Sequence, residues 1–464
     1  MKGLLSFIFS VTYLLAASQI SNTKIFTVDD FINQVKQFHP VARQASLLVD
    51  KASAELLAAK GLFDPTINFD ASKKTFDGKN YYYYTNPEIK VPLPIGEIKT
   101  GIENNGGTYL NSEESYGKTS YLGLEIPLAK GLILDKRRAT LQQAKILKNQ
   151  SEQEKLKMLN DLLLNAYTNY WQWAGANELF NIYTKYVQIS TDRLRLVRLA
   201  TKNGDRSAMD TLEAFTQLQN IEMMQTEALM KLNSAAIEVS NFLWLQNDSA
   251  YQLPENNIPD IEQFNGNNTN FISLNDIIGN AMLTNPNLQT YNFKLQYLEV
   301  ERKLKKQNLL PTFNAKANLL NKDYAVFNGV NTAFFENNYK WGIDFKMPIF
   351  LREARGDYAK AKIKIAETSL DLKQKKWEVE NKIRNYFSEY TLLQKQFQIA
   401  QASYNNYNTI YKNELLKFIN GESSLFLVNS REIKTLEILQ KNIELKVKLL
   451  KAKYAISWAA GLLK

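Results

Sequence analysis

Asn203-Gly204 and Asn420-Gly421 each interrupt a very long helical pattern, and each is followed, after two intervening residues, by a serine (Ser207 and Ser424). They are equivalent points of one repeated plan, and that duplication constrains the fold more than any other feature. FTVDDFINQVKQFHPVARQ, residues 26–44, is echoed by ISLNDIIGNAMLTNPNLQT, residues 272–290. At one constant offset Asp30 meets Asp276, Pro40 meets Pro286, Pro65 meets Pro311 and Asn68 meets Asn314. A shorter offset then matches Arg138 to Arg355, Ala144 to Ala361 and the two Asn-Gly pairs. The change reflects extra residues between Pro65 and Arg138 of the first copy. The first repeat is assigned to residues 19–245 and the second to 272–464. The Asn- and Pro-rich stretch 246–271 between them reads as an irregular linker.

Each copy carries the same series: a helical stretch (about 27–62 and 273–308), two strands, a very long helix (about 132–202 and 353–419), the Asn-Gly turn, and a helix about half as long (207–245 and 424–462). A helix of that greater length spans about 105 Å at ~1.5 Å per residue. Two shorter helices laid end to end nearly equal one long helix, so a rod, a turn and a two-part return rod close geometrically as antiparallel coiled-coil pairs. Leu425, Val428, Ile433, Leu436, Leu439 and Ile443 recur at the matching spacing. Aromatic and Met residues on these faces (Trp171, Tyr186, Met223, Trp377) read as ordinary packing. At the turns, tip 203–207 and tip 420–424, glycine supplies the positive φ that ends a helix, and Ser207 and Ser424 can cap the next one.

Four segments alternate with period two. In strands about 65–75 and 118–127, Ile67, Phe69 and Ala71, then Leu122, Leu124 and Ile126, share one face. In strands about 311–320 and 339–348, Phe313, Ala315, Ala317 and Leu319, then Trp341, Ile343, Phe345 and Met347, do the same. Pro65 and Pro311 start two of them; Pro127 and Pro348 end the others. One apolar and one charged face suits a small sheet capping a helical domain, and it equally suits membrane barrel strands with lipid outside and water inside. Aromatic tracts at Tyr81–Tyr84 and at Phe334, Phe335, Tyr339 and Trp341 favour the barrel, because aromatic belts mark membrane interfaces. Four strands cannot close a barrel, and open edges are forbidden in hydrocarbon. Two chains would give eight strands and a filled interior; three would give twelve and a lumen, which the polar Glu125, Lys316, Asp344 and Lys346 favour. The extra residues 77–115 are expected as a long extracellular loop, in which EIKVPLP (88–94) suits a short hairpin.

The N-terminus, MKGLLSFIFSVTYLLAASQ, reads as a secretory signal over residues 1–18. The chain has no cysteine, which excludes disulfides and a lipid on an N-terminal Cys. No later apolar run is long enough for a membrane helix. The excess of 57 Lys and Arg over 47 Asp and Glu is interleaved along helical faces, so it reads as solvated surface and no nucleic acid is expected. The one histidine, His39, provides no cluster for metal or triad chemistry, and no Gly-rich phosphate loop is visible. No enzyme activity, catalytic residue, cofactor or metal is expected. A soluble periplasmic coiled-coil scaffold or adaptor remains the rival from another class.

Together the signal, the doubled helix–strand–strand–helix–helix order, the Pro-bounded strands and the Gly-containing tips resemble the TolC-like outer-membrane efflux and secretion channels, over essentially the whole mature chain. The resemblance implies a mainly α fold with a β-barrel portion: tandem-duplicated coiled-coil helices plus four strands per chain, completing a trimeric twelve-stranded barrel and a periplasmic α-barrel. It implies a homotrimer in outer-membrane lipid that serves as exit duct of a tripartite efflux or type I secretion system. The adaptor (membrane fusion) protein of an inner-membrane pump would dock at Asn203, Gly204, Asn420 and Gly421. Family tips carry a Val-Gly-Thr-like turn, whereas here Asn precedes each Gly. Acidic rings that close the tip in some members fall on Leu427 and Ser430 here, leaving Asp205, Asp210, Glu213 and Glu422 as candidate aperture acids.

Overall fold

The computed structural model describes residues 24–266, 273–324 and 338–464. The expected signal 1–18, the end of the linker (267–271) and the pair Phe334 and Phe335 lie outside the described residues. In chain order come β1 (Lys24–Phe26), α1 (Val28–Phe38), α2 (Pro40–Lys60), β2 (Thr66–Phe76), β3 (Lys79–Pro92), β4 (Glu97–Gly106) and β5 (Gly117–Pro127). Next are α3 (Lys136–Lys202), α4 (Ala208–Ser240), β6 (Asn257–Pro259), α5 (Ile261–Asn265), α6 (Leu274–Thr284) and α7 (Pro286–Gln307). The chain ends with β7 (Thr312–Lys322), β8 (Tyr339–Lys346), α8 (Arg352–Ile419) and α9 (Leu425–Ala460). They form two compact units: residues 24–39, 166–266 and 393–451 in one, and 40–165, 273–324, 338–392 and 452–464 in the other.

Local chemistry repeats with the sequence. Thr27 caps α1 by accepting from the Asp30 amide at 3.1 Å, and Ser273 caps α6 by accepting from Asp276 at 3.3 Å. The stretches 27–62 and 273–308, expected as single helices, are each broken at a proline. Pro40 and Pro286 start new helices, and the residues before them, His39 (ψ 133°) and Asn285 (ψ 122°), are extended. Proline lacks an amide donor and pushes its predecessor out of the helical region, so a break there follows from sterics. The 67-residue α3 and 68-residue α8 contain no proline and run unbroken.

The first unit centres on Phe31, Tyr170, Trp171 and Trp173, all almost fully buried. Phe31 and Tyr170 stack at 5.6 Å, and the Tyr170 hydroxyl donates to the Phe26 carbonyl at 2.8 Å while accepting from the Asp260 amide at 3.2 Å. That hydroxyl ties together the ends of β1 and β6, which pair in parallel. The linker is therefore less irregular than its composition suggests: it contains β6 and α5, and Phe264 of α5 is buried.

The second unit contains one antiparallel sheet in the order β2-β3-β4-β5-β7-β8. This corrects two expectations. Among the described residues this sheet has six strands instead of four, and residues 77–115 are not simply a loop, because β3 and β4 lie within them. The reversal from β2 to β3 is a two-residue turn at Asp77 (φ 51°) and Gly78 (φ 68°), the Asp-Gly pair that two-residue hairpins favour. The β3 strand runs from 79 to 92, so Tyr81–Tyr84 are strand residues rather than loop. In the helical part of this unit, Asn285 donates to the Ala459 carbonyl at 3.0 Å and Asn160 to that of Trp458 at 2.9 Å.

His39 stacks on Phe242 at 5.8 Å and meets Trp244 edge-on at 6.4 Å. Burial holds its imidazole below the ordinary value of 6.5. A group with a depressed folded pKa contributes stability that is present above the unfolded pKa and lost as pH falls. Imidazole hydrogen exchange followed by mass spectrometry is expected to give a midpoint below 6.5 for this single histidine. The melting temperature should drop with acidification less steeply in His39→Gln than in the parent. A midpoint at or above the ordinary value would contradict the packing described.

Candidate functional site

In the first unit the two Asn-Gly turns have the same backbone. The α3 helix ends with the Asp205 amide donating to the Ala200 carbonyl (2.9 Å) and Gly204 to Thr201 (3.1 Å). The α8 helix ends with Glu422 donating to Lys417 (2.8 Å) and Gly421 to Phe418 (3.1 Å). This is a Schellman C-cap, with glycine at the left-handed position: φ is 85° at Gly204 and 79° at Gly421. Asn203, Gly204, Asn420 and Gly421 are all exposed, and a Cβ built on either glycine would meet no atom within 4 Å. Arg206 joins the two turns: its guanidinium donates to the Phe418 carbonyl at 3.1 Å and lies 4.2 Å from the centre of the Phe418 ring.

The four candidate acids occupy different settings. Asp205 and Glu422 are exposed on the turns. Asp210 completes a capping box at the start of α4, its carboxylate accepting from the Ser207 amide at 3.0 Å while its own amide donates to Ser207 Oγ at 3.2 Å. In the second copy Ser424 accepts from the Leu427 amide at 3.4 Å, and leucine cannot return the bond. Glu213 accepts weakly from Asn429 Nδ2 at 3.5 Å; burial, and after it the charge of Asp210, hold its carboxyl above the usual range despite that bond.

Deeper between these helices lies a charged cluster that the sequence reading missed. Arg193 of α3 grips Glu432 of α9 through both terminal guanidinium nitrogens, at 2.8 and 2.5 Å, and Glu432 is completely buried. Gln217 of α4 donates to the same carboxylate at 2.9 Å, as does Tyr411 of α8 at 2.9 Å; Arg193 also donates to Asn429 at 3.2 Å. Burial opposes the charge of Arg193, but its bonds to Glu432 outweigh that and raise its pKa. One carboxylate thus receives donors from α3, α4 and α8, tying four helices and both repeats. The signal was available: Glu432 follows Leu425 and Val428 and precedes Leu436 at core spacing, and all three of these are buried.

In the second unit the sheet has two unlike faces. On one lie Ile67, Phe69, Ile89, Ile102, Leu122, Leu124, Trp341, Ile343 and Phe345, all exposed. Exposure reaches 80% at Ile67, 70% at Phe69 and 67% at Trp341 and Phe345. The opposite face is polar and internally bonded: Lys99 pairs with Glu125 at 2.6 Å and Glu97 at 3.0 Å, Lys316 pairs with Asp344 at 2.5 Å, and Thr119 donates to Glu103 at 3.0 Å. Pro65 and Pro311 immediately precede β2 and β7, Pro127 is the last residue of β5, and Pro348 lies just past β8. Among the described residues β2 and β8 are paired on one side only. No described helix is long and apolar enough to cross a membrane.

No family model and no curated protein sequence matches this chain. Solved structures do. The open-state MtrE outer membrane channel of Neisseria gonorrhoeae superposes with a TM-score of 0.66 at 11% identity, covering 94% of this chain and 89% of that one. The CmeC outer membrane channel of Campylobacter jejuni gives 0.63 at 16%, covering 94% and 86%. The outer membrane protein VceC of Vibrio cholerae gives 0.62 at 12%, covering 94% and 96%. Identities this low speak to fold. The chain has the fold of the TolC-like outer membrane factor channels, as the sequence resemblance implied.

Two mutational outcomes follow. Glu432→Ala strands a buried guanidinium and is expected to cost about 3–5 kcal/mol. The paired change Arg193→Met with Glu432→Leu removes both charges and should cost much less, which thermal melts of the two variants will compare. Gly421→Val forces a β-branched residue into positive φ in open space, so only local strain of about 1–2 kcal/mol is expected. Purified Gly421→Val protein should therefore assemble like the parent by size-exclusion chromatography.

Proposed function

We propose that this chain is an outer-membrane channel, the exit duct of a tripartite efflux or type I secretion system. It acts as a homotrimer whose strands share one barrel and whose helices form a tunnel in the periplasm. The single observation that carries this reading is the sheet: one face apolar and exposed, the other polar and bonded to itself, with edges on β2 and β8 that are unpaired among the described residues. Lipid suits the first face, a wet lumen the second, and further copies of the chain the edges. A soluble periplasmic scaffold would leave Ile67, Phe69, Trp341 and Phe345 in water, and large exposed apolar patches mark partner or membrane surfaces.

The exposed turns at Asn203-Gly204 and Asn420-Gly421 are the proposed docking points for a periplasmic adaptor and, through it, an inner-membrane pump. Asp205 and Glu422, exposed on those turns, are the acids best placed to attract cations to a periplasmic aperture. Asp210 and Glu213 are partly committed to Ser207 and Asn429.

Fractionation tests the core of this proposal. The protein should sediment with outer membranes, require detergent for extraction, and give a crosslinking ladder ending at trimer. A detergent-independent soluble monomer would refute it. In cells, Gly421→Val should abolish export while trimers persist; normal export from such trimers would reduce the tip to a turn.

A further inference from the structure

We propose that each chain contributes six adjacent membrane strands, so that the trimer closes a barrel of eighteen strands rather than twelve. This rests on the channel reading above and deepens it. The extra pair, β3 and β4, is not a loop projecting beyond a four-stranded sheet. It is inserted within the sheet, and β2 and β5 are not neighbours at all.

Register places the insertion at the height of its neighbours. Thr66, the first residue of β2, faces Lys90 near the end of β3; Pro92 faces Glu97; and Glu97 in turn faces Glu125 near the end of β5. The β3–β4 reversal at residues 93–96 therefore lies level with the helix-proximal ends of β2 and β5. The other reversals, the tight Asp77-Gly78 turn and residues 107–116, lie at the opposite end of the sheet; the second is the longest of the three and sits where the longer connections of a membrane barrel belong.

The two faces also continue through the insertion, with Thr100 standing between Ile89 and Leu122 on the apolar side. Directly paired residues in an antiparallel sheet share a face. Ile67 faces Ile89, Val91 faces Ile98, and Ile98 faces Leu124, so the apolar surface runs from β2 across β3 and β4 to β5. On the other face the inserted strands carry charge that is bonded onward into the sheet. Lys99 of β4 pairs with Glu125 of β5 at 2.6 Å. Tyr121 of β5 reaches over β4 and donates to Glu88 of β3 at 2.6 Å. It passes above Gly101, where a Cβ would come within 2.9 Å of the tyrosine ring and 2.7 Å of the Pro87 carbonyl. Glycine is needed at that point so that one side chain can bind three strands together. A hairpin that merely lay outside the membrane would require neither the apolar stripe nor this strap.

The open edges are then β2 and β8, and the occupant of each is the opposite edge of a second copy of this chain. Barrel diameter grows roughly linearly with strand number, so eighteen strands give a mouth about half again as wide as twelve. The added wall is lined by Glu88, Glu97, Lys99 and Glu103.

The chain has no cysteine, so single spin-labelled cysteines test the proposal in lipid vesicles containing the purified trimer. Labels at residues 89, 98 and 102 should be several-fold more accessible to oxygen than to a water-soluble nickel chelate, and labels at 88, 99 and 103 the reverse. Residues 67, 122 and 341, against 68, 119 and 340, are controls in strands that do not belong to the insertion. If the controls alternate but 88–103 are uniformly accessible to nickel, the hairpin lies outside the membrane and the six-strand proposal fails alone. If the controls do not alternate either, the channel reading fails with it. Images of the detergent-purified trimer should count eighteen strands; twelve would overturn the proposal whatever the labels report.

Discussion

A peptide group without a partner costs several kcal/mol in hydrocarbon, and a sheet with two open edges carries a row of them on each side. That constraint governs the rest of this molecule. In the proposed channel it requires that β2 and β8 find strands from other copies, and it fixes which way the sheet faces. Once the edges are joined in a ring, the face with Ile67, Phe69, Trp341 and Phe345 turns to lipid and the face with Lys99, Glu125, Lys316 and Asp344 to water. The proline that precedes β2 and the one that precedes β7 belong to the same logic, since proline at a strand start gives up no ladder bond.

The helical part solves a different problem, that of holding very long helices in one register. Coiled-coil packing is repetitive, and a repetitive interface tolerates sliding by a turn. Among the described residues the Arg193–Glu432 pair, with Gln217 and Tyr411, is the ion pair whose carboxylate is fully buried, and a shift by one turn would leave that carboxylate unpaired. Replacing such a cluster by well-packed apolar groups often costs little stability. Its value here is in fixing one alignment of α3, α4, α8 and α9, close to the turns proposed to meet a partner.

The inserted hairpin escaped the sequence for identifiable reasons. Tyr81–Tyr84 do not alternate, so half of β3 lacks the period-two signal. Pro87 interrupts the other half, and a proline within a strand reads as a break because it cannot donate to the ladder. Gly101 does the same in β4. Aligning the two repeats compounded the error, since residues with no counterpart in the second copy look like a loop. EIKVPLP, expected as a short hairpin, does end β3 and enter the 93–96 reversal, and Asp77-Gly78 was a second local sign, but neither showed strands inserted within the sheet. Glu432 was hidden differently: a glutamate on a helix is usually solvated, and its burial depends on α8 before it and on α3 and α4 of the other repeat.

What the sequence determined by itself was whatever depends on neighbours along the chain. Internal duplication, helix ends at Asn-Gly, serine caps, alternating faces in β2, β5, β7 and β8, and the resemblance to an outer-membrane channel fold are all local patterns or repeats of them. The tertiary structure decided which strands pair and how many enter the sheet: the Tyr121–Glu88 and Lys99–Glu125 contacts tie β5 to β3 and to β4 across strands. It also decided which charge is buried. Both depend on groups far apart in the chain meeting in space, and no periodicity within one segment carries that information.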